Sequence, residues 1–347
     1  MKKYSKYLYF AFIALMIISC EPTDNIINNI STSSKFLMAY KEPNTLALTT
    51  LPEKTNLYTD IYSEINGSSL TSPVTRMVGF YSYYFVFRAN EYKIDVLNKS
   101  DFKLIQTMDF SAEKKKPLSI CFPNVTDAYI IFEKDSSVML YDIVNFKPAR
   151  SIIAGRYPTS IAAYGNQIYL TNQLDNTVSV IDSRTHKVEQ TIQVHNAPTF
   201  VDFTPDGTKA VVISLGAGKI DSTQAKTAAL ASFIDVSTRL VIKTKQIGTG
   251  AIVPANQYPQ AFTITNRNIA VIATKDYVFR LETKFGDMIS LANRGSFSSV
   301  GYNFQSDEVM MIKKDTKNTT LIIADPLSIS QKSSYIISSN ITSILPI

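Results

Sequence analysis

The chain has 347 residues, 45% of them apolar and 18% charged, with a formal net charge of +6. Its two cysteines cannot build a disulfide framework, and its two histidines are too few for a histidine-rich metal centre. The basic excess does not point to nucleic acid: without Lys2, Lys3 and Lys6 of the leader, 32 Lys and Arg face 29 acidic residues, and the longest basic run is Lys114-Lys115-Lys116.

Lys2, Lys3 and Lys6 precede the apolar run Leu8 to Ile18, which has signal-peptide length and is short for a membrane span. Ile17-Ile18-Ser19-Cys20 follows, a small residue directly before Cys at the end of such a run. This resembles a lipobox, so residues 1–19 are expected to be a lipoprotein signal peptide and Cys20 the lipidated residue. An Asn-, Ser- and Thr-rich stretch, 20–34, reads as a flexible tether. Residues 35–347 remain as the folded domain.

Within that domain the sequence repeats. Pro117, Pro158 and Pro198 are 41 and 40 residues apart, and Pro259 follows after 61, so the unit between carries an insertion. Each unit holds four short β-branched runs bounded by Gly, Asn, Asp or Pro, which read as strands and hairpins. Four antiparallel strands per period of about 40 residues is the pattern of a propeller blade. Asn98, Asp142, Asp182, Asp235, Glu282 and Asp325 each close a third run, as turn formers dispersed around a ring rather than paired carboxylates. They mark six blades. A seventh is expected from Phe36 to Ile61, completed by the apolar tail Asn340–Ile347. The predicted architecture is all-β: a seven-bladed β-propeller of four-stranded antiparallel blades, its ring closed by the C-terminal strand. Cys121, in the apolar stretch Leu118 to Phe122, is expected to be a small buried hydrophobe.

Catalytic signatures are sparse. His186 falls in a turn between third and fourth strands and His195 in a link between blades, so they face opposite ways and cannot share a metal ion. Gly216-Ala217-Gly218-Lys219 lacks the Ser/Thr and the glycine spacing of a phosphate loop. No metal, cofactor or catalytic residue is expected. Propellers also carry lactonase and quinoprotein activities, so the fold alone does not exclude an enzyme.

Binding finds more support. The links between blades and the second-to-third-strand loops share one end of a propeller. They offer Arg88, Asn90, Tyr92, Tyr157, Asn172, Gln173, Gln257, Tyr258 and Tyr277 as candidate ligand-binding residues. Tyrosine brings flat contact area and the amides bring adaptable hydrogen bonds.

Pro158 with Tyr169-Leu170-Thr171-Asn172 and Asn176-Thr177-Val178-Ser179-Val180-Ile181-Asp182 resembles the YVTN-type propeller repeat. The absence of Trp argues against the WD40 type. The order of features, including Asp60 to Gly67 after the first blade, is similar to the YncE-like lipoprotein propellers of Gram-negative cell surfaces, some of which capture cobalamin. That resemblance implies an outer-membrane, surface-exposed protein anchored through Cys20, a corrinoid ligand and a TonB-dependent receptor as partner. The alternatives are an envelope scaffold without a small ligand and, less favoured, a lactonase-like or redox enzyme.

Overall fold

The computed structural model describes residues 34–51, 53, 55–216, 227–248, 258–286 and 289–347. Cys20 and the leader lie outside the described residues, as do Gln257 and positions 217–219.

Ser34–Ile347 form one compact unit of seven four-stranded antiparallel sheets arranged as a ring. Blade one contains β1 (Ser34–Tyr40), β2 (Thr45–Leu51) and β3 (Thr55–Tyr58). Helix α1 (Ile61–Asn66) then leads to blade two: β4 (Arg76–Phe80), β5 (Tyr83–Arg88), β6 (Lys93–Asn98) and β7 (Leu104–Asp109). Blade three is β8 (Pro117–Cys121), β9 (Asp127–Phe132), β10 (Ser137–Asp142) and β11 (Lys147–Ile153). Blade four is β12 (Pro158–Tyr164), β13 (Gln167–Asn172), β14 (Thr177–Asp182) and β15 (Lys187–Gln193). Blade five is β16 (Pro198–Phe203), β17 (Lys209–Ser214), β18 (Leu230–Asp235) and β19 (Leu240–Gln246). Blade six is β20 (Pro259–Ile264), β21 (Ile269–Thr274), β22 (Tyr277–Glu282) and β23 (Ile289–Arg294). Blade seven is β24 (Phe297–Asn303), β25 (Glu308–Lys314), β26 (Thr319–Ala324) and β27 (Gln331–Ile337). The last strand, β28 (Ile341–Pro346), pairs with β1 and completes blade one, with Leu37 opposite Leu345. The seven blades and this closure are as the sequence predicts.

Burial explains the strand patterns. Middle strands are covered on both faces by neighbouring blades, so β14 is buried at all six positions, whereas the outer β15 alternates with solvent. Cys121 is buried and unpaired, and burial pushes its thiol pKa up, which leaves it unreactive. The extra length before Pro259 is divided: one part is the loop 215–229 between β17 and β18, the other the link 247–258 between β19 and β20. The proline spacing predicts one insertion in this unit; the structure splits the extra length on either side of β18 and β19, with β18 starting at Leu230 and Ala231 fully buried in it.

The six turn markers act as expected. Asn98, Asp142, Asp182, Glu282 and Asp325 accept the backbone N–H two residues on, and Asp235 accepts that of Thr238. Four residues after each marker the chain enters the left-handed region, at Phe102, Phe146, His186, Arg239, Gly286 and Ile329. Only one of these is glycine, and a side chain there costs strain. Ile329 is fully buried, so packing offsets that cost. Each turn is followed by a bulge that re-registers the outer strand.

Candidate functional site

Antiparallel order fixes the ends of the ring. The link from a fourth to a first strand and the loop from a second to a third strand open at one end, the loop end. The other two connections open at the turn end.

At the loop end, links are laced to loops across blade boundaries. Tyr157, left-handed before Pro158, donates its N–H to the Asp135 carbonyl of blade three (3.1 Å) and accepts that of Gln173 of blade four (3.0 Å). Arg156 closes on Asp175 through its backbone N–H (2.7 Å to Oδ2) and its Nε (2.6 Å to Oδ1). Gln173 Nε2 donates to Thr199 Oγ1 of blade five at 3.1 Å. Tyr157 and Gln173 therefore sit together, both half-buried.

Asn172 is corrected as a ligand contact. It is fully buried, and its Nδ2 donates to Thr177 Oγ1 (3.0 Å) and Ser179 Oγ (2.9 Å) across the hairpin. Gly155 packs on it so closely that a Cβ there would lie 2.3 Å from Asn172 Cγ. It is a scaffold residue because the second strand ends inside the blade rather than at its rim.

Arg88, Asn90 and Tyr92 share one 3-10 turn, but only Asn90 is exposed. Arg88 is occupied: Nη1 contacts Glu91 Oε2 (2.6 Å), and Nη2 and Nε contact Asp95 Oδ1 (3.0 Å) and Oδ2 (2.7 Å). Asp95 is fully buried and also accepts from Tyr62 (3.0 Å) and Thr107 (2.7 Å). Burial alone would lower the Arg88 pKa, but the hydrogen bond and charge of Asp95 outweigh it and the net direction is up. The network ties α1 to blade two. Tyr92 packs half-buried on the core shared by blades two and three. In blade six, Tyr258 and Tyr277 are both half-buried, Tyr277 with its ring 6.0 Å from that of Phe279. No hydrogen bond or ring contact joins these three groups to one another among the described residues.

The histidines stand at opposite ends of β15. His186 Nδ1 meets the Tyr129 hydroxyl (2.6 Å) at the turn end; His195 Nε2 meets the Ala228 carbonyl (3.1 Å) at the loop end. Among the described residues no three His, Cys, Asp or Glu side chains form a metal-holding group.

The first strands enclose a central cavity of about 740 Å³. Its wall is rich in small and hydroxyl side chains, among them Thr75, Thr159, Ser160, Ser298, Ser299 and Ser343. Among the described residues, Arg76 and Asp202 are its only charged lining residues. Arg76 opens β4 and so stands at the loop end; Asp202, fifth of six residues in β16, stands toward the turn end. Arg76 is open to water in the cavity, yet protein surrounds it, and desolvation lowers its pKa. No ion pair engages it among the described residues. Asp202 is half-buried; desolvation raises its pKa to about 6, against the Phe203 N–H at 2.9 Å that favours the charged form. Both residues escaped the sequence reading, which sought ligands in loops. Their signal was available: they are the only charged residues in the seven innermost strands.

The fold defines a seven-bladed β-propeller with a polar central channel. No family model and no curated protein matches the chain. Among solved structures, the Kuenenia stuttgartiensis hydrazine synthase is similar, with TM-score 0.59, 15% sequence identity, and coverage of 72% of this chain and 76% of that chain. At this identity the likeness concerns the fold alone.

Proposed function

We propose that this chain is a lipid-anchored, surface-exposed binding protein of the outer membrane. It captures a sizeable solute, a corrinoid such as cobalamin, and passes it to a TonB-dependent transporter without chemical change. The observation that carries the binding part is the loop-end mouth of the channel, where Arg76 presents a guanidinium that no carboxylate engages among the described residues. Such a group favours an anionic or carbonyl-bearing ligand. A corrinoid would rest on the rim near Tyr157, Gln173, Tyr258 and Tyr277 and direct its phosphodiester or an amide arm toward Arg76. The anchor and transporter parts rest on the Cys20 motif and on the resemblance described above.

Calorimetric titration of the purified protein with cyanocobalamin tests the reading. Arg76→Gln, and separately Tyr157→Ala with Tyr258→Ala, should each weaken binding about tenfold or more, equivalent to about 1.4 kcal/mol. Lys187→Ala, exposed at the turn end, should leave it unchanged. Equal affinity in all variants would move the site elsewhere. Failure of the wild-type protein to bind would remove the corrinoid.

A further inference from the structure

The two ends of the ring differ in what their connections expose. At the turn end, Tyr81, Val125, Val144, Phe285, Phe304 and Leu327 stand at connection tips, 52 to 75% exposed. At the loop end, the exposed large apolar residues in described connections are Ile65 and Leu174, at 36 and 46%, with Ile153 at the very end of β11 exposed as well, at 83%. Turn tips usually carry polar residues, so a set of bare aromatic and aliphatic tips on one end marks a contact surface. Tyr81 occupies left-handed backbone as well, at φ 49°. A bulky residue there is unfavourable without some offsetting use.

Their distribution around the ring is uneven. The six tips belong to blades six, seven, two and three. Blade seven packs on blade one through Met310, Leu321 and Ile323 against Phe36 and Met38, so blade one sits at the middle of this arc. The turn tips of blades four and five are polar instead, with Gly165-Asn166, Arg184-Thr185, Asp206-Gly207 and Thr238-Arg239, although Leu240, the first residue of β19, is 59% exposed beside the last of them. Tyr164, the exposed aromatic there, lies over Gly207 and beside Phe203, with ring centroids 5.8 Å apart.

Blade one is also where the preceding chain enters. β28 runs from loop end to turn end and β1 is antiparallel to it, so Ser34 begins at the turn end, where the Ile347 N–H bonds the Lys35 carbonyl at 3.0 Å. Residues 21–33 could reach at most about 45 Å when extended. A tether of that reach keeps the domain near a bilayer without choosing which side faces it.

We propose that the turn end of blades six, seven, one, two and three is a lipid-docking surface that turns the loop end away from the bilayer. The proposal rests on the anchor reading for its source of proximity. The entry point at the centre of the arc selects a bilayer over a protein partner. Interfacial lipid accommodates scattered Tyr, Phe, Leu and Val tips among polar groups without needing a groove.

The chain has no tryptophan, so a single introduced one reports alone. Phe304→Trp, Tyr81→Trp, Thr185→Trp and Leu174→Trp are made in the full lipidated protein and reconstituted in phosphatidylcholine–phosphatidylglycerol vesicles containing brominated lipid. Phe304→Trp and Tyr81→Trp should be quenched about threefold more than Leu174→Trp, with blue-shifted emission, and Thr185→Trp should fall between. Quenching that is equal at all four positions, or strongest at Leu174, overturns the proposal. So does absence of quenching at every position, the result expected if the tips bind protein instead. The same variants, with a histidine tag replacing residues 1–20 and held on nickel-chelating lipid, repeat the test without lipidation. Docking there with no lipidation of Cys20 in cells would sink the anchor and leave the surface standing. Lipidation without docking would do the reverse.

Discussion

Blades four and one solve the same packing problem with different stretches of chain. Blade four is continuous from Pro158 to Gln193, each strand pairing with the one made just before it. Its loop end is fixed locally, by Asn172 holding Thr177 and Ser179 while Ser179 Oγ donates to the Ala154 carbonyl at 2.6 Å. Blade one draws its innermost strand from the far end of the chain. Its outermost strand, β3, is four residues long and exposed throughout. Its order comes from outside: from β28, and from the Tyr62–Asp95–Arg88 network that ties the following link to blade two. Regularity holds blade four; long-range contacts hold blade one.

Removing Asn340–Ile347 should break that contrast most severely. The deletion strips the pairing edge of β1 and removes Ile341, which is buried, with Leu345 and Ile347, which pack on the core of blades one and two. Each fully buried aliphatic side chain contributes about 1.5–3 kcal/mol, against a total margin of roughly 5–15 kcal/mol. The truncated protein should be insoluble or lose more than about 5 kcal/mol in chemical denaturation. An unchanged midpoint would make the tail an appendage.

Asp95→Ala comes next, because it leaves the Arg88 guanidinium without its main partner: a loss of about 3–5 kcal/mol. Asn172→Ala in blade four should cost less, about 1–3 kcal/mol, since it unpairs only neutral groups. Urea midpoints of the two variants measure the difference, and equal losses would erase the distinction between a locally and a remotely secured blade.

The smallest effect concerns the channel wall that blades one and four share with blade five. The Asp202 pKa is raised in the folded protein to about 6, above its ordinary value of 3.8. The folded state therefore holds a proton that the unfolded state has lost between those values, and stability falls as pH rises through that window. Asp202→Asn should flatten this slope and gain about 1 kcal/mol at pH 7, less than the full shift implies because the channel is wet. Denaturation curves at pH 4 and pH 7 would detect it. A slope that persists in the variant would assign it to other groups.

The sequence reading located what periodicity controls. Starts at Pro117, Pro158, Pro198 and Pro259 and the turn markers from Asn98 to Asp325 are local signals, each fixed by the φ of proline or by a short side chain bonding its own turn. Even the closure by Asn340–Ile347 was legible, because one blade lacked a strand and one strand lacked a blade. The candidate site was less so. Loop position told which end Arg88, Asn172 and Tyr92 approach, but not that Arg88 would be taken by Asp95, Asn172 enclosed behind Gly155, or Tyr92 laid on the core. Those outcomes depend on residues distant in sequence. Arg76 and Asp202 were missed because a charge in a strand reads as a minor irregularity until that strand is known to line an axis.

The pairing of β28 with β1 also sets the order in which the protein can come into being. Thr342 Oγ1 donates to the Ala39 carbonyl across 303 positions of sequence, so the first strands made must wait for the last. Throughout synthesis the β1 edge stays unpaired, with Phe36, Leu37 and Met38 uncovered, and the ring remains an open arc. Contacts this distant slow folding, and an open strand edge is a template for wrong pairing. Until β28 pairs with it, the β1 edge is therefore the part of the propeller most open to wrong pairing.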